Sequence, residues 1–187
     1  MNKIKLLSGY LKGKEILYYS HFVKPTIFII RKILFDWIKD IINKSRILDM
    51  FGGSGVLGFE ALSRGASYLF IVEKSFAVCN SICLNIQNLN IKNVNIINID
   101  VFEWLNLLQL VKSYIKSFDI IFIDPPYNSN YLFYCLNFLL INNYITNDTY
   151  IYIESYINFE IEFVFFKYKI LKFKNIGNIK FYLIKKL

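Results

Sequence analysis

The stretch Phe118-Asp119-Ile120-Ile121-Phe122-Ile123-Asp124-Pro125-Pro126-Tyr127 sets an acid, two prolines and an aromatic ring at the end of an apolar run. Two prolines fix the backbone, so the Asp124 carboxylate and the Pro125 carbonyl can both accept hydrogen bonds from one planar exocyclic amine. Tyr127 offers a ring on which a base can stack. An aromatic amine is a poor nucleophile because its lone pair is delocalised. Accepting its protons raises electron density on nitrogen and aims it at an electrophile, which is catalysis by positioning and electrostatics that needs neither a metal nor a covalent intermediate. A turn after a core strand explains a stray Pro-Pro, but not this tetrad downstream of a second motif.

That second motif is Asp49-Met50-Phe51-Gly52-Gly53-Ser54-Gly55, between a short apolar run and a helical one. Read as Gly53-x-Gly55-x-x-Gly58, with Glu73 ending the next apolar run, it satisfies the dinucleotide fingerprint and makes an NAD-dependent enzyme one reading. Asp49 favours a different ligand. A carboxylate just before the glycines repels a pyrophosphate but holds the ammonium of a methionine moiety, so S-adenosylmethionine fits better than NAD. Glu73 can then take both ribose hydroxyls, and Asp100 can accept from the adenine amino group. Each acid alone is more often a solvated loop residue; three at successive strand ends of one sheet are not so easily dismissed.

The elements that must position these residues alternate along the chain. Strands are predicted at Ile47–Met50, Tyr68–Val72, Val94–Ile99, Ile120–Ile123 and Tyr150–Ile153. Helices are predicted at Val56–Ser63, Ser75–Leu89, Val101–Leu110 and Leu132–Leu140. Such alternation gives a parallel sheet covered on both faces, with a ligand crevice at the carboxyl ends of its strands. Phe163–Leu187, with Asn175-Ile176-Gly177-Asn178 between two β-rich runs, reads as an antiparallel hairpin on the sheet edge. Before the sheet, Ile4–Ile16 can hold two short strands, and Thr26–Ile42 reads as one long helix starting at Pro25-Thr26.

Composition bounds the rest. A chain of 187 residues reads as one domain, an N-terminal extension and helix over 1–43 and a cofactor-binding catalytic core over 44–187. The greasiest stretch, Thr26 to Ile42, is cut by Arg31, Lys32, Asp36, Lys39 and Asp40, and the start lacks the pattern of a signal peptide. A soluble, cytoplasmic monomer is expected. Cys79, Cys83 and Cys135 suit neither a disulfide framework nor a metal site; Cys79 and Cys83, four apart on a helix, read as two small buried side chains. His21, the only histidine, has no nucleophile elbow beside it and reads as a loop or surface residue, which excludes Ser-His-Asp and Cys-His chemistry. The net charge of +8 divides as +5 over residues 1–40, −4 over 41–166 and +7 over 167–187. Basic ends suit a polyanion, and an acidic middle suits something cationic or hydroxyl-rich. Lys3, Lys5, Lys12, Lys14 and Arg31 before the sheet, and Lys167, Lys169, Lys172, Lys174 and Lys180 on the hairpin, are therefore expected to contact phosphates beside the crevice.

The two motifs, the continuation Gly58-Phe59-Glu60-Ala61-Leu62-Ser63-Arg64-Gly65-Ala66, the run Ile151-Tyr152-Ile153-Glu154-Ser155 and the helix segment Leu34-Phe35-Asp36-Trp37-Ile38 together resemble the RsmD family over nearly the whole length. These are bacterial methyltransferases of guanine N2 in small-subunit (16S) ribosomal RNA. The resemblance implies a Rossmann-like class I S-adenosylmethionine-dependent α/β fold, a mostly parallel doubly wound sheet ending in an antiparallel hairpin, with a short N-terminal β/α extension. It implies a partly assembled small subunit as partner, a catalytic set of Asp124, Pro125, Pro126 and Tyr127, and a cofactor set of Asp49, Phe51, Gly53, Ser54, Gly55, Glu73, Lys74, Asp100 and Val101. One departure stands out: where the family tends to carry Arg-Pro-Thr, an acid and arginines, this chain has Lys24-Pro25-Thr26-Ile27-Phe28-Ile29-Ile30-Arg31-Lys32. Two rival functions are a DNA adenine-N6 methyltransferase, which uses Asp-Pro-Pro-Tyr but normally needs an inserted recognition region, and a non-catalytic RNA-binding assembly protein.

Overall fold

The structure is a computed structural model that describes residues 1–19, 21, 23–111, 118–126, 131–141, 144–155 and 167–187. In chain order its elements are β1 (Asn2–Lys5), β2 (Glu15–Tyr18), α1 (Phe28–Trp37), β3 (Arg46–Asp49), α2 (Val56–Ser63), β4 (Tyr68–Glu73) and α3 (Phe76–Asn88). They continue with β5 (Val94–Asn98), α4 (Val101–Val111), β6 (Ile120–Ile123), α5 (Tyr131–Ile141), β7 (Tyr150–Ser155), β8 (Tyr168–Ile176) and β9 (Ile179–Lys186). Seven strands form one sheet in the order β5-β4-β3-β6-β7-β9-β8. The first five are mutually parallel, β9 runs antiparallel to β7, and β8 runs antiparallel to β9 at the edge. The hairpin lies where the sequence places it, with the part before residue 167 outside the described residues.

Residues alternate between the two faces of each strand, so each strand feeds two cores. Ile47, Leu69, Ile71, Phe122 and Tyr152 pack with Ile30 and Phe35 of α1, Phe59 of α2 and Ile82 of α3. Leu48, Val72, Ile121, Ile123 and Ile151 pack with Trp104 and Leu105 of α4 and Leu132 and Leu136 of α5. Helices therefore cover both faces, and the central strand β6, Ile120-Ile121-Phe122-Ile123, is apolar and buried throughout. Gly58 is what lets α2 sit close on the sheet: a Cβ there would lie 2.6 Å from Leu69 Cδ2.

The N-terminal ribbon of β1 and β2 is tied to the helices by polar side chains. Buried Asn85 of α3 accepts from the Leu17 amide and donates to its carbonyl, both at 2.8 Å, completing the free backbone of β2. Fully buried Glu60 of α2 accepts from the Leu7 amide at 2.8 Å and from Arg64 Nε at 2.9 Å, with Arg31 Nη1 at 3.9 Å. Arg31 also donates to the Lys5 carbonyl at 3.1 Å.

This corrects two expectations. Arg31, grouped by charge with the phosphate-contacting cations, is only 3% exposed and spends its charge on Glu60 inside the molecule. The long helix predicted over Thr26–Ile42 is shorter, starting at Phe28 and ending at Trp37. Ile38 and Ile42 keep their buried positions in a run of turns, where Ile41 and Ile42 both donate to the Ile38 carbonyl, so apolar spacing outlasts the helix itself. A smaller correction concerns Cys83, which is exposed while Cys79 is buried.

Candidate active site

Alternation along four strands builds the site. Ile47 and Asp49 of β3, Leu69, Ile71 and Glu73 of β4, Ile120 and Phe122 of β6 followed by Asp124, and Tyr152 and Glu154 of β7 share the face that α1, α2 and α3 cover. Asp49 pairs in register with Phe122, and Phe122 with Tyr152. Four acids thus stand at the carboxyl ends of adjacent strands, in the order Glu73, Asp49, Asp124, Glu154 across the sheet. All four border one cleft of about 540 Å³.

The turn after β3 shapes one end of this cleft. Gly53 has φ 50° and Gly55 φ 74°, a left-handed backbone that costs a side chain about 1–2 kcal/mol. Glu73 clamps the turn: its Oε2 accepts from the Gly53 amide at 2.8 Å and its Oε1 from the Ser75 amide at 2.7 Å. A Cβ at Gly52 would meet Ile71 Cγ2 at 2.4 Å. Phe51, Gly53, Ser54, Lys74 and Val101 border the cleft together with the acids, as do Asp100, Pro125 and Pro126. Gly55 does not; a Cβ there would meet the Phe59 ring at 2.9 Å, so it shapes the turn rather than facing a ligand. Tyr127 lies outside the described residues.

The electrostatics are unusual. Burial pushes the Asp49 carboxyl up to about 7, against a long 3.4 Å hydrogen bond from the Phe51 amide, with Asp124 and Glu73 adding repulsion. Burial likewise pushes Asp124 up to about 7, offset by the Thr26 hydroxyl, which donates to its Oδ2 at 3.5 Å. Glu154 is raised well above the carboxylate range by burial first and by Asp124 second. Among the described residues no lysine or arginine forms an ion pair with any of the three. Buried acids without cations fit a ligand that brings positive charge or hydrogen-bond donors with it.

At the other end Asp100 accepts from the Phe102 amide at 2.8 Å and from the Tyr131 hydroxyl at 2.6 Å. The Tyr131 ring stacks on Phe102 at 4.2 Å between centroids and meets Phe51 edge-on at 5.4 Å. Asp100 therefore holds a tyrosine as well as facing the cleft.

Residues 4–185 match the protein family described as Conserved hypothetical protein 95. A protein of Buchnera aphidicola subsp. Acyrthosiphon pisum (strain APS), named Ribosomal RNA small subunit methyltransferase D, is 40% identical over 155 residues, which are 82% of this chain and 78% of that one. The chain belongs to the RsmD family. Two solved structures resemble it over nearly their whole lengths. One, described as a putative methyltransferase yhhF from Escherichia coli, has a TM-score of 0.85 at 26% identity, covering 99% of this chain and 98% of that chain. The other, described as putative methylase HI0767 from Haemophilus influenzae, has a TM-score of 0.77 at 28% identity, covering 100% and 99%. The fold is the Rossmann-like methyltransferase fold that the family resemblance implies.

Three cleft residues of this RsmD family member escape sequence reasoning. Thr26 reads as a helix start, but the cap of α1 is Ile27 and the Thr26 hydroxyl turns to the carboxyls instead. Tyr131 carries no motif. Glu154 had the same signal as the other acids, an acid closing an apolar run, but only strand order reveals that β7 lies beside β6. His21 is exposed at the cleft rim, close to the loop role its isolation suggests.

Proposed function

We propose that this RsmD family member transfers a methyl group from S-adenosylmethionine to the exocyclic N2 amine of a guanine in small-subunit (16S) ribosomal RNA. The observation that carries the reading is a pair of carboxyls on adjacent strands of one cleft, buried Asp49 and half-buried Asp124, neither in an ion pair among the described residues and the second followed by Pro125-Pro126. When bound, S-adenosylmethionine supplies a sulfonium methyl that passes to nitrogen as the sulfur–carbon bond breaks. Asp49 holds the donor's ammonium, and Glu73, already fixed by two backbone amides, has lone pairs left for the ribose hydroxyls. Phe51, Ser54, Lys74 and Val101 wall the donor's cleft, and Asp100 faces its adenine. Asp124 and the Pro125 carbonyl accept the amine's protons, orient its lone pair, and Asp124 takes the proton released when the nitrogen–carbon bond forms. Tyr127, next in the chain, is the stacking candidate.

Membership of the RsmD family favours RNA over a DNA adenine. The partner is then a partly assembled small subunit, met by a monomer through its basic ends. Labelled S-adenosylmethionine incubated with small-subunit particles lacking the modification, followed by nucleoside analysis, tests the reading. N2-methylguanosine is expected, and Asp124→Ala should abolish it while cofactor affinity stays nearly unchanged. Label in N6-methyladenosine, or an Asp124 variant with normal turnover, overturns the proposal.

A further inference from the structure

Glu154 has no duty toward the methyl donor in the reading above, yet it is 1% exposed and borders the same cleft. Its Oε1 accepts a 2.7 Å hydrogen bond from the Tyr152 hydroxyl, two residues back on the same face of β7, which fixes the side chain. The Thr26 hydroxyl lies against both Glu154 and Asp124. One hydroxyl proton can serve only one of them at a time. Neither carboxyl has a cationic partner among the described residues. Such a pair is a costly arrangement if its purpose is folding alone, because buried carboxyls are stabilised only by donors or cations.

The geometry says which donors. β6 lies between β3 and β7, and neighbouring strands are about 4.8 Å apart, so Glu154 is one strand beyond Asp124 and roughly 10 Å across the sheet from Asp49. That separation places it on the side of the methyl acceptor, away from the group Asp49 holds. A planar base edge with two adjacent donors would satisfy both carboxylates at once. Guanine has this edge, N1–H next to the N2 amine. Adenine sets its amine beside the bare acceptor N1, and cytosine sets its amine beside the bare acceptor N3, so either would point a lone pair at a carboxylate.

We propose that Glu154 is a specificity-determining residue that accepts the guanine N1–H while Asp124 accepts an N2–H, so that paired carboxylates admit guanine and turn away adenine and cytosine. The proposal rests on the guanine-N2 reading and deepens it. Burial and the Asp124 charge both raise Glu154, and donors from a base edge act in the opposite direction by favouring the ionised carboxyls.

The test uses small-subunit particles carrying either guanine or 2-aminopurine at the position that the wild-type protein methylates, installed by ligation around a synthetic RNA segment. 2-Aminopurine keeps the N2 amine but has a bare N1. Wild-type protein should methylate the guanine particles at least tenfold faster in kcat/KM. Glu154→Gln keeps an oxygen for the Tyr152 hydroxyl and adds an amide that donates to a bare N1. It should lose at least tenfold on guanine, gain on 2-aminopurine and so reverse the preference, with S-adenosylmethionine affinity unchanged. A wild-type protein that treats both bases alike, or a folded Glu154→Gln that keeps the wild-type preference, overturns the inference. Should the variant fail to fold, the wild-type comparison still decides. Failure of the parent reading looks different, since the guanine particles would then acquire no N2-methylguanosine.

Discussion

Cofactor affinity should depend on pH through Asp49, and its size follows from the site. The Asp49 carboxyl, pushed up to about 7 by burial, is half protonated near neutrality, whereas the donor's ammonium requires it ionised. Binding therefore displaces a proton. The ionised share falls from about one half at pH 7 to about one hundredth at pH 5, so the dissociation constant should rise about fiftyfold, or about 2.3 kcal/mol, at about 1.4 kcal/mol per decade. Calorimetry with S-adenosylmethionine at pH 5, 6 and 7, in buffers of different ionisation heat, reads both the affinity and the proton released. Asp49→Asn should bind weakly and lose most of this dependence. Asp124→Asn should keep it, which separates the two acids that titrate in the same range. A wild-type affinity that is flat between pH 5 and 7 would refute the assignment of Asp49 to the ammonium, as would an Asp49→Asn variant that binds normally.

The same raised carboxyl makes the ligand-free protein less stable as pH rises. Asp49 binds protons more tightly folded than unfolded, so between its ordinary value and about 7 the slope of unfolding free energy with pH is negative, with a loss of about 2 kcal/mol from pH 5 to 7. Denaturant titrations of wild type and Asp49→Asn at both pH values isolate this loss, and equal pH slopes would count against it. Glu60→Ala should cost about 3–5 kcal/mol by leaving Arg31 buried and unpaired, also read by denaturant titration; a change below 1 kcal/mol would mean the network is not coupled to folding. Neutralising Lys169, Lys172 and Lys174 should weaken RNA or subunit binding and flatten its salt dependence by about 0.7 per lost phosphate contact on single strands, with S-adenosylmethionine affinity unchanged. An unchanged salt slope would reduce these lysines to solubilising groups.

What the sequence reveals of this molecule divides by the range of the interactions involved. The alternation of apolar runs, the glycine turn and the acids closing β3, β4 and β6 are local patterns, and each lands within a residue or two of its expected place. The hairpin turn at Gly177, with φ 58°, is as local as these. What stays hidden depends on pairings distant in sequence. Arg31 looks like a surface cation until Glu60, twenty-nine residues on, is seen beneath it. Thr26 looks like the start of a helix until Asp124 is seen within reach of its hydroxyl. The helix limits of α1 fail for another reason: Ile38 and Ile42 are buried whether the backbone there is helix or turn, so burial spacing cannot report the boundary.

The charge division along the chain acquires a spatial meaning in the fold. In register across the last three strands, Glu154 of β7 pairs with Phe181 of β9, and Phe181 pairs with Lys174 of β8. Lys174 therefore stands level with the acid end of the cleft, two strands away and roughly 10 Å across the sheet. The hairpin tip at Gly177 carries on beyond that level. Under the proposed function, the same end of the sheet presents its acids to a cationic donor and an amine edge, and the exposed lysines beside them to the phosphates of the chain bearing that amine. The two signs do not cancel because the acids are enclosed by protein while the lysines lie in water, where a Debye length of about 8 Å at physiological salt limits their reach. Moving Lys174 to the opposite end of the hairpin would preserve the net charge but remove it from the cleft, so total charge alone cannot substitute for this placement.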